Sequence, residues 1–183
     1  MIILLAVVVA VTGGTAYAAV TPTPHTISRQ DKNFLVQAHQ ANLAEIEGGK
    51  AAEAKTSASG EQESSKVVRD LAKRFVADHT KLDRAVRQVA DRLGVKLPDR
   101  PTAAQREQLD KLAALSGAAF NRTWISEELE GHRETLAAIE KEIESGSSPE
   151  VRKVATDAKP VVREHIELLL HAEKRPAPAP SRS

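Results

Sequence analysis

The sequence predicts an all-α protein built on four long helices. Three observations carry this. Ala, Leu, Glu, Lys and Arg dominate the middle of the chain, where Gly and Pro are sparse. Apolar residues recur at helical spacings through four long segments. Residues suited to capping stand where those segments begin and end. The 183 residues suit one domain with appendages, and aromatics make up 3% of them, so the core must be mostly Ala, Val, Leu and Ile.

The first 18 residues are expected to be a secretory signal peptide. Met1 to Val11 is almost continuously apolar, and Ala16-Tyr17-Ala18 supplies an A-x-A cleavage pattern. The apolar run is too short to span a bilayer. No Lys or Arg precedes it. Cleavage after Ala18 or Ala19 leaves residues 19–27 as an extended leader around Thr21-Pro22-Thr23-Pro24. The bundle is expected over residues 28–173, and residues 174–183 form a Pro/Ala-rich tail that cannot be helical.

Within the bundle, the first helix starts at Ser28, an N-cap with Asp31 three residues on. Its apolar stripe is Phe34, Ala38, Ala41, Glu45 and Ala52, and it fades into Ser57-Ala58-Ser59-Gly60. The second begins near Ser64 or Ser65 and carries Val68, Ala72, Phe75, His79, Leu82, Val86, Val89 and Leu93, with Gly94 closing it. Residues 95–115 contain Pro98, Pro101 and a short helix from Thr102. The third long helix carries Phe120, Ile125, Leu129, His132, Leu136, Ile139 and Ile143 and ends at Gly146. The fourth has Ser148 as N-cap, Pro149 at its first position and a stripe of Val154, Ala158, Val161, His165, Leu168 and Ala172. Pro160 is expected to kink it.

The link between the second and third long helices is long, while the other two are short. Short links give antiparallel neighbours, and a long one can run the length of a bundle. This fits a ferritin-like topology with one crossover. A shift of 86 residues places Phe34 on Phe120, Val68 on Val154, His79 on His165 and Leu82 on Leu168. Either two helical hairpins arose by duplication or two amphipathic patterns coincide.

Several function classes are excluded. The 26 basic and 25 acidic residues are interspersed, so no basic patch for nucleic acid forms. The absence of cysteine excludes disulfides, thiol catalysis and zinc-thiolate sites. No phosphate loop, nucleophile elbow or His-Glu-x-x-His motif occurs.

Glu45, His79, His132 and His165 are the candidate site: four polar residues on apolar seams, one per long helix. Such groups cost free energy in a core unless paired, protonated or metal-bound. Helical bundles build metal sites this way. A ferritin-type two-metal site needs Glu three residues before each of two histidines, but Val76 and Val162 stand there. One carboxylate and three imidazoles suit a single Zn, Cu, Fe or Mn ion, with Zn or Cu favoured by ligand softness. Without metal, the histidines would be hydrogen-bonded core residues. Asp78 is expected to face solvent, and Glu128 and Glu164 to be surface charges or partners of the neighbouring histidines. His39 and His171 lie one residue off the stripes, and Trp124 fills core volume.

Further residues in order carry a resemblance: Phe34, Glu45-Ile46, Asp78-His79-Thr80, Leu93-Gly94-Val95, Leu115-Ser116-Gly117, Phe120-Asn121, His132, Pro160 and His165. Over about residues 30–173 the chain resembles the domain of unknown function 4142 family. The resemblance implies an exported, ferritin-like bundle without a settled activity. The family usually has Asp where Asn121 stands and Tyr where Trp124 stands, so no role of those residues carries over. Its frequent outer-membrane label implies no location here, because no segment alternates like a barrel strand.

Three functions follow as expectations. One is an exported protein binding one metal ion in its core. Another is a non-enzymatic envelope module with a protein partner and no metal. The third is a hydrolase or oxidase, which would need an open coordination position and a pocket reaching the seam.

Overall fold

The computed structural model describes residues 27–58 and 63–174. The expected signal peptide, the leader up to residue 26 and the tail from residue 175 lie outside the described residues. The described residues form five helices and no strand: α1 (Arg29–Ala58), α2 (Glu63–Arg92), α3 (Ala103–Ala113), α4 (Gly117–Ser145) and α5 (Pro149–Glu173). None of them is long and apolar enough to cross a membrane.

Local chemistry sets the helix ends. Ser28 and Asp31 form a reciprocal box: Asp31 N–H donates to Ser28 Oγ at 3.1 Å, and Ser28 N–H donates to Asp31 Oδ2 at 3.1 Å. Thr102 and Gln105 do the same at the start of α3. Gly94 ends α2 with φ +67°, a conformation that L side chains rarely adopt. Ser148 caps α5, with Pro149 in its first turn. The α5 helix continues through Pro160. Pro160 and Thr156, whose carbonyl it leaves unbonded, both lie on the exposed face.

α1 pairs with α2 and α4 pairs with α5, giving two helical hairpins packed face to face. α1 and α2 approach so closely that a Cβ on Gly49 would sit 2.6 Å from Val76 Cγ2. Hydrogen bonds fix the directions. Asn121, at the start of α4, donates to Ser64 and Ser65 at the start of α2, at 3.2 and 3.1 Å. Gln30, at the start of α1, donates to Glu142 near the end of α4 at 3.3 Å. Thus α2 and α4 run parallel, and the segment joining them travels back along the molecule, with α3 packed against α1 and α4.

Two apolar clusters fill the interior. One gathers Phe34, Leu35, Val86, Val89, Ile139, Val151 and Val162 near the α4–α5 turn. The other gathers Val68, Ala72, Phe75, Phe120, Trp124, Leu129 and Leu169 towards the starts of α2 and α4. The sequence stripes hold for most of α2 and α4 and need correction by about one residue at some positions of α1 and α5. In α1 Phe34 and Ala52 are buried as expected, but Leu35, His39 and Asn42 are buried too, whereas Ala38, Ala41 and Glu45 are only half-buried. In α5 Ala158, His165 and Ala172 are buried as expected, with Val151, Ala155, Val162 and Leu169 buried rather than Val154, Val161 and Leu168, and in α4 Leu136 is half-buried. The reason is tight packing within each hairpin, which turns each helix towards its sequence neighbour. Ile27, expected in the leader, packs against the first cluster.

Phe75→Ala is expected to destabilise by about 3–5 kcal/mol, since a fully buried ring leaves a cavity. Leu136→Ala should cost less, roughly 1–2 kcal/mol, because its side chain is partly solvated already. Equal losses in chemical denaturation would show that the clusters are wrongly assigned.

A second constraint joins α1 to the α4–α5 turn. Asp31 is fully buried, and its Oδ1 accepts backbone N–H groups from Ser147 at 2.9 Å and Ser148 at 3.0 Å. Burial opposes its charge, but these bonds and the Ser28 hydroxyl hold its carboxyl below the usual range. Burial, with Asp31 alongside, pushes Glu142 up to about 7. The neutral acid can donate to the Asp31 carboxylate. A raised carboxyl pKa gives stability that is full below about 4.5 and is lost as pH rises through about 7. Glu142→Gln should therefore flatten the pH dependence of the urea midpoint across that window and leave the variant more stable than wild type at pH above about 7. An unchanged slope would refute the assignment.

Candidate metal centre

His79 from α2, His132 from α4 and His165 from α5 meet between the two apolar clusters, at 3%, 1% and 0% exposure. Position along each helix brings them to one level, and Phe75 packs against all three. Its ring stacks on His165 at 4.2 Å between centroids, lies 5.0 Å from His132, and meets His79 edge-on at 6.5 Å. Trp124 stacks on the far side of Phe75 at 5.8 Å.

Each imidazole has one nitrogen tied to an oxygen acceptor. His79 Nδ1 donates to Asn42 Oδ1 at 2.9 Å. His132 Nδ1 donates to the backbone carbonyl of Glu128 at 2.8 Å. His165 Nε2 donates to Asp78 Oδ2 at 3.3 Å. These acceptors place the ring protons on the outer nitrogens. The inner nitrogens, His79 Nε2, His132 Nε2 and His165 Nδ1, then carry lone pairs aimed at one another. His132 Nε2 lies 3.3 Å from His79 Nε2 and 3.1 Å from His165 Nδ1. Ligands at tetrahedral Zn–N distances would be separated by about 3.3–3.4 Å.

Glu45, on α1, completes the expected tetrad. Its Oε2 is 3.9 Å from His79 Nε2, and its Oε1 is 3.7 Å from His132 Nδ1. It sits beside the triad with one oxygen, Oε2, lacking a hydrogen-bond partner. All four residues singled out from the sequence therefore gather at one place.

The neighbours differ in part from expectation. Asp78 was expected to face solvent, yet it is mostly buried and binds His165 while accepting from Arg74 at 3.0 Å and Lys81 at 3.1 Å. Burial opposes its charge, but those donors outweigh it and hold its carboxyl down at about 2. Glu128, expected as a surface charge or a partner of His132, lies inside as such a neighbour, its Oε2 3.7 Å from His132 Nδ1. Asn42 was not singled out; the clue was its place one helical turn before Glu45 on the same face. Glu164 does lie at the surface, paired with Arg74 at 2.9 Å. His39, off the sequence stripe, is buried and bridges Asp83 to the Pro98 carbonyl, whereas His171 is exposed.

Electrostatics favour neutral imidazoles at His79 and His165. Burial lowers His79 to about 4, against the pull of Glu45, and lowers His165 to about 4. Burial, with the charge of Glu45 alongside, pushes Glu128 well above the usual carboxylate range. Burial also opposes ionisation of Glu45, but His132 and His79 outweigh it and hold Glu45 below its ordinary value. Of the two carboxylates, Glu45 is the one that stays charged.

A cleft of about 350 Å³ between α1 and α4 reaches this site. Glu45, Glu128 and His79 line it, together with Ala41, Leu82 and Ile139. Leu109 of α3 covers part of it.

The fold and site define a class: an all-helical bundle with a histidine triad buried at its centre. The chain belongs to the family described as domain of unknown function (DUF4142), whose model matches residues 16–171. Its fold is similar to the crystal structure of a DUF305 fragment from Deinococcus radiodurans, with TM-score 0.66 and 16% sequence identity, covering 82% of this chain and 99% of that one. No curated protein matches the chain.

Proposed function

We propose that the chain is an exported protein of ferritin-like topology that binds one transition-metal ion through His79, His132 and His165, with Glu45 beside them. The observation that carries this is the convergence of three imidazole nitrogens, His132 Nε2 lying 3.3 Å from His79 Nε2 and 3.1 Å from His165 Nδ1, on rings whose other nitrogens each face an oxygen acceptor. Three acceptors cannot satisfy one another, and a buried polar group without a partner costs on the order of 1–3 kcal/mol. A cation at their centre resolves all three at once. The outer hydrogen bonds to Asn42, Asp78 and the Glu128 carbonyl fix each ring's orientation, as partners of metal-bound histidines do. The carboxylate of Glu45, which groups with Glu128 and His132 rather than with all three histidines, stands near enough to offset part of the ion's charge.

Three nitrogens with at most one carboxylate favour Zn or Cu over Mn, while Fe remains compatible. The residues three before His79 and His165 are Val76 and Val162, so a ferritin-type pair of metals lacks its carboxylates. The parallel course of α2 and α4, with a long return between them, supports the ferritin-like reading. The alternative, a metal-free envelope module with a protein partner, expects the histidines separated or paired with one another or with carboxylates, and the His165–Asp78 bond is one such pair.

Zn²⁺ or Cu²⁺ should raise the unfolding temperature of metal-free protein, with about 2.7 kcal/mol of stabilisation at a free-ion concentration one hundred times Kd. His165→Ala and His79→Ala should each abolish most of that increment, judged against their own metal-free stability. No increment in the wild type, or a full increment in both variants, would defeat the metal reading.

Export is supported by the apolar run Met1 to Val11 and the A-x-A pattern at Ala16 to Ala18. Intact-mass measurement of the exported product should give a chain beginning near Ala19 or Val20. A product retaining the apolar run would refute export by cleavage.

A further inference from the structure

We propose that the cleft between α1 and α4 is the route by which a hydrated divalent cation reaches the histidine triad, and that its carboxylates select cations over anions. The proposal rests on the metal-binding reading above. The three histidines are at most 3% exposed, so an ion cannot reach them across the outer surface. The cleft offers a path, because His79 and Glu45 form part of its wall and it opens beside the exposed Glu134 and Asp157.

Charge along that path is one-sided. Glu45, Glu127, Glu134 and Asp157 line it with carboxylates, Glu128 adds a neutral acid, and its lining includes no Lys or Arg. In the whole chain basic and acidic residues number 26 and 25, so this is a local segregation. Asp157 is paired with Lys153 at 2.8 Å, which leaves Glu127 and Glu134 as the main charges towards the mouth. Low-dielectric walls focus such a field and concentrate cations within it. At the inner end Glu45 and Glu128 lie side by side, the neutral Glu128 acid hydrogen-bonding the Glu45 carboxylate. They lie with His132 in a group whose ligand atoms are within 4.8 Å of one another. An arriving ion meets these oxygens before the imidazoles.

Gly131 keeps the path open. It lines the cleft immediately before His132, and a Cβ there would meet no atom within 4 Å. Glycine inside a helix is unfavourable, so a residue with free space around it and no side chain points to the value of that space.

Trp124 is the single tryptophan and stacks on Phe75, which touches the triad. Quenching of its fluorescence by Cu²⁺ therefore reports arrival at the site. Metal-free wild-type protein, the double variant Glu127→Gln/Glu134→Gln, and Gly131→Phe are mixed with Cu²⁺ in stopped flow. The double variant should load at least about threefold more slowly at low ionic strength. That difference should vanish near about 0.5 M salt, where exposed charges are screened. Its release of Cu²⁺ to a chelator should be unchanged. Gly131→Phe should load slowly at every salt concentration. If wild type binds Cu²⁺ and both variants load at the wild-type rate, the route is refuted while the metal site stands. If wild type binds no Cu²⁺, the metal reading fails, and the route with it. Should Gly131→Phe not fold, the double variant and its salt dependence decide.

Discussion

Three imidazoles buried at one level of the bundle set the terms for the rest of the molecule. Each must be held by its outer nitrogen, and the acceptors come from different parts of the fold. Asn42 ties α1 to α2 through His79, and Asp78 ties α2 to α5 through His165. His132 is held by its own helix, through the Glu128 carbonyl. The layer therefore joins the two hairpins by directional bonds, where apolar packing on either side is non-directional. Buried polar networks of this kind specify one arrangement when their members are satisfied. Here the outer half is satisfied within the protein, and the inner half faces a shared centre.

The packing around that layer is asymmetric. Within each hairpin the helices are close, as Gly49 against Val76 shows. Between α1 and α4 they stand apart, and the cleft occupies the gap. The Asp31 network closes the far end of that gap by binding the α4–α5 turn to the start of α1. A tight seam on one side and a clasped gap on the other make a site that is buried yet approachable. The aromatic stack of Trp124 on Phe75 backs the histidines from within, so the open direction is towards Glu45.

The helical class was readable because burying one face of a helix imposes a spacing on the sequence that single residues cannot hide. The ends of α2 and α5 were readable for the same local reason, since Gly94 and Ser148-Pro149 act through backbone conformation and capping. Glu45, His79, His132 and His165 stood out because imidazoles and a carboxylate on apolar stripes conflict with their surroundings. The partners were harder. Asp78 and Glu128 are off those stripes, and their burial depends on which neighbouring helix covers them. His39 was passed over because its pairing with Asp83 and the Pro98 carbonyl joins residues far apart in the chain.

By itself the sequence determined the helices, their approximate bounds and the four residues of the candidate site, because propensity, capping and periodicity are local properties. Only the tertiary structure decided the rotation of each helix about its axis. A turn of one residue, about 100° on a helix, moves a side chain from seam to cleft. That rotation put Ala38, Ala41 and Glu45 on the cleft wall and drew Asn42 beneath His79. It also set the ring orientations that leave three lone pairs facing one point, which depends on acceptors supplied by other helices and by the backbone.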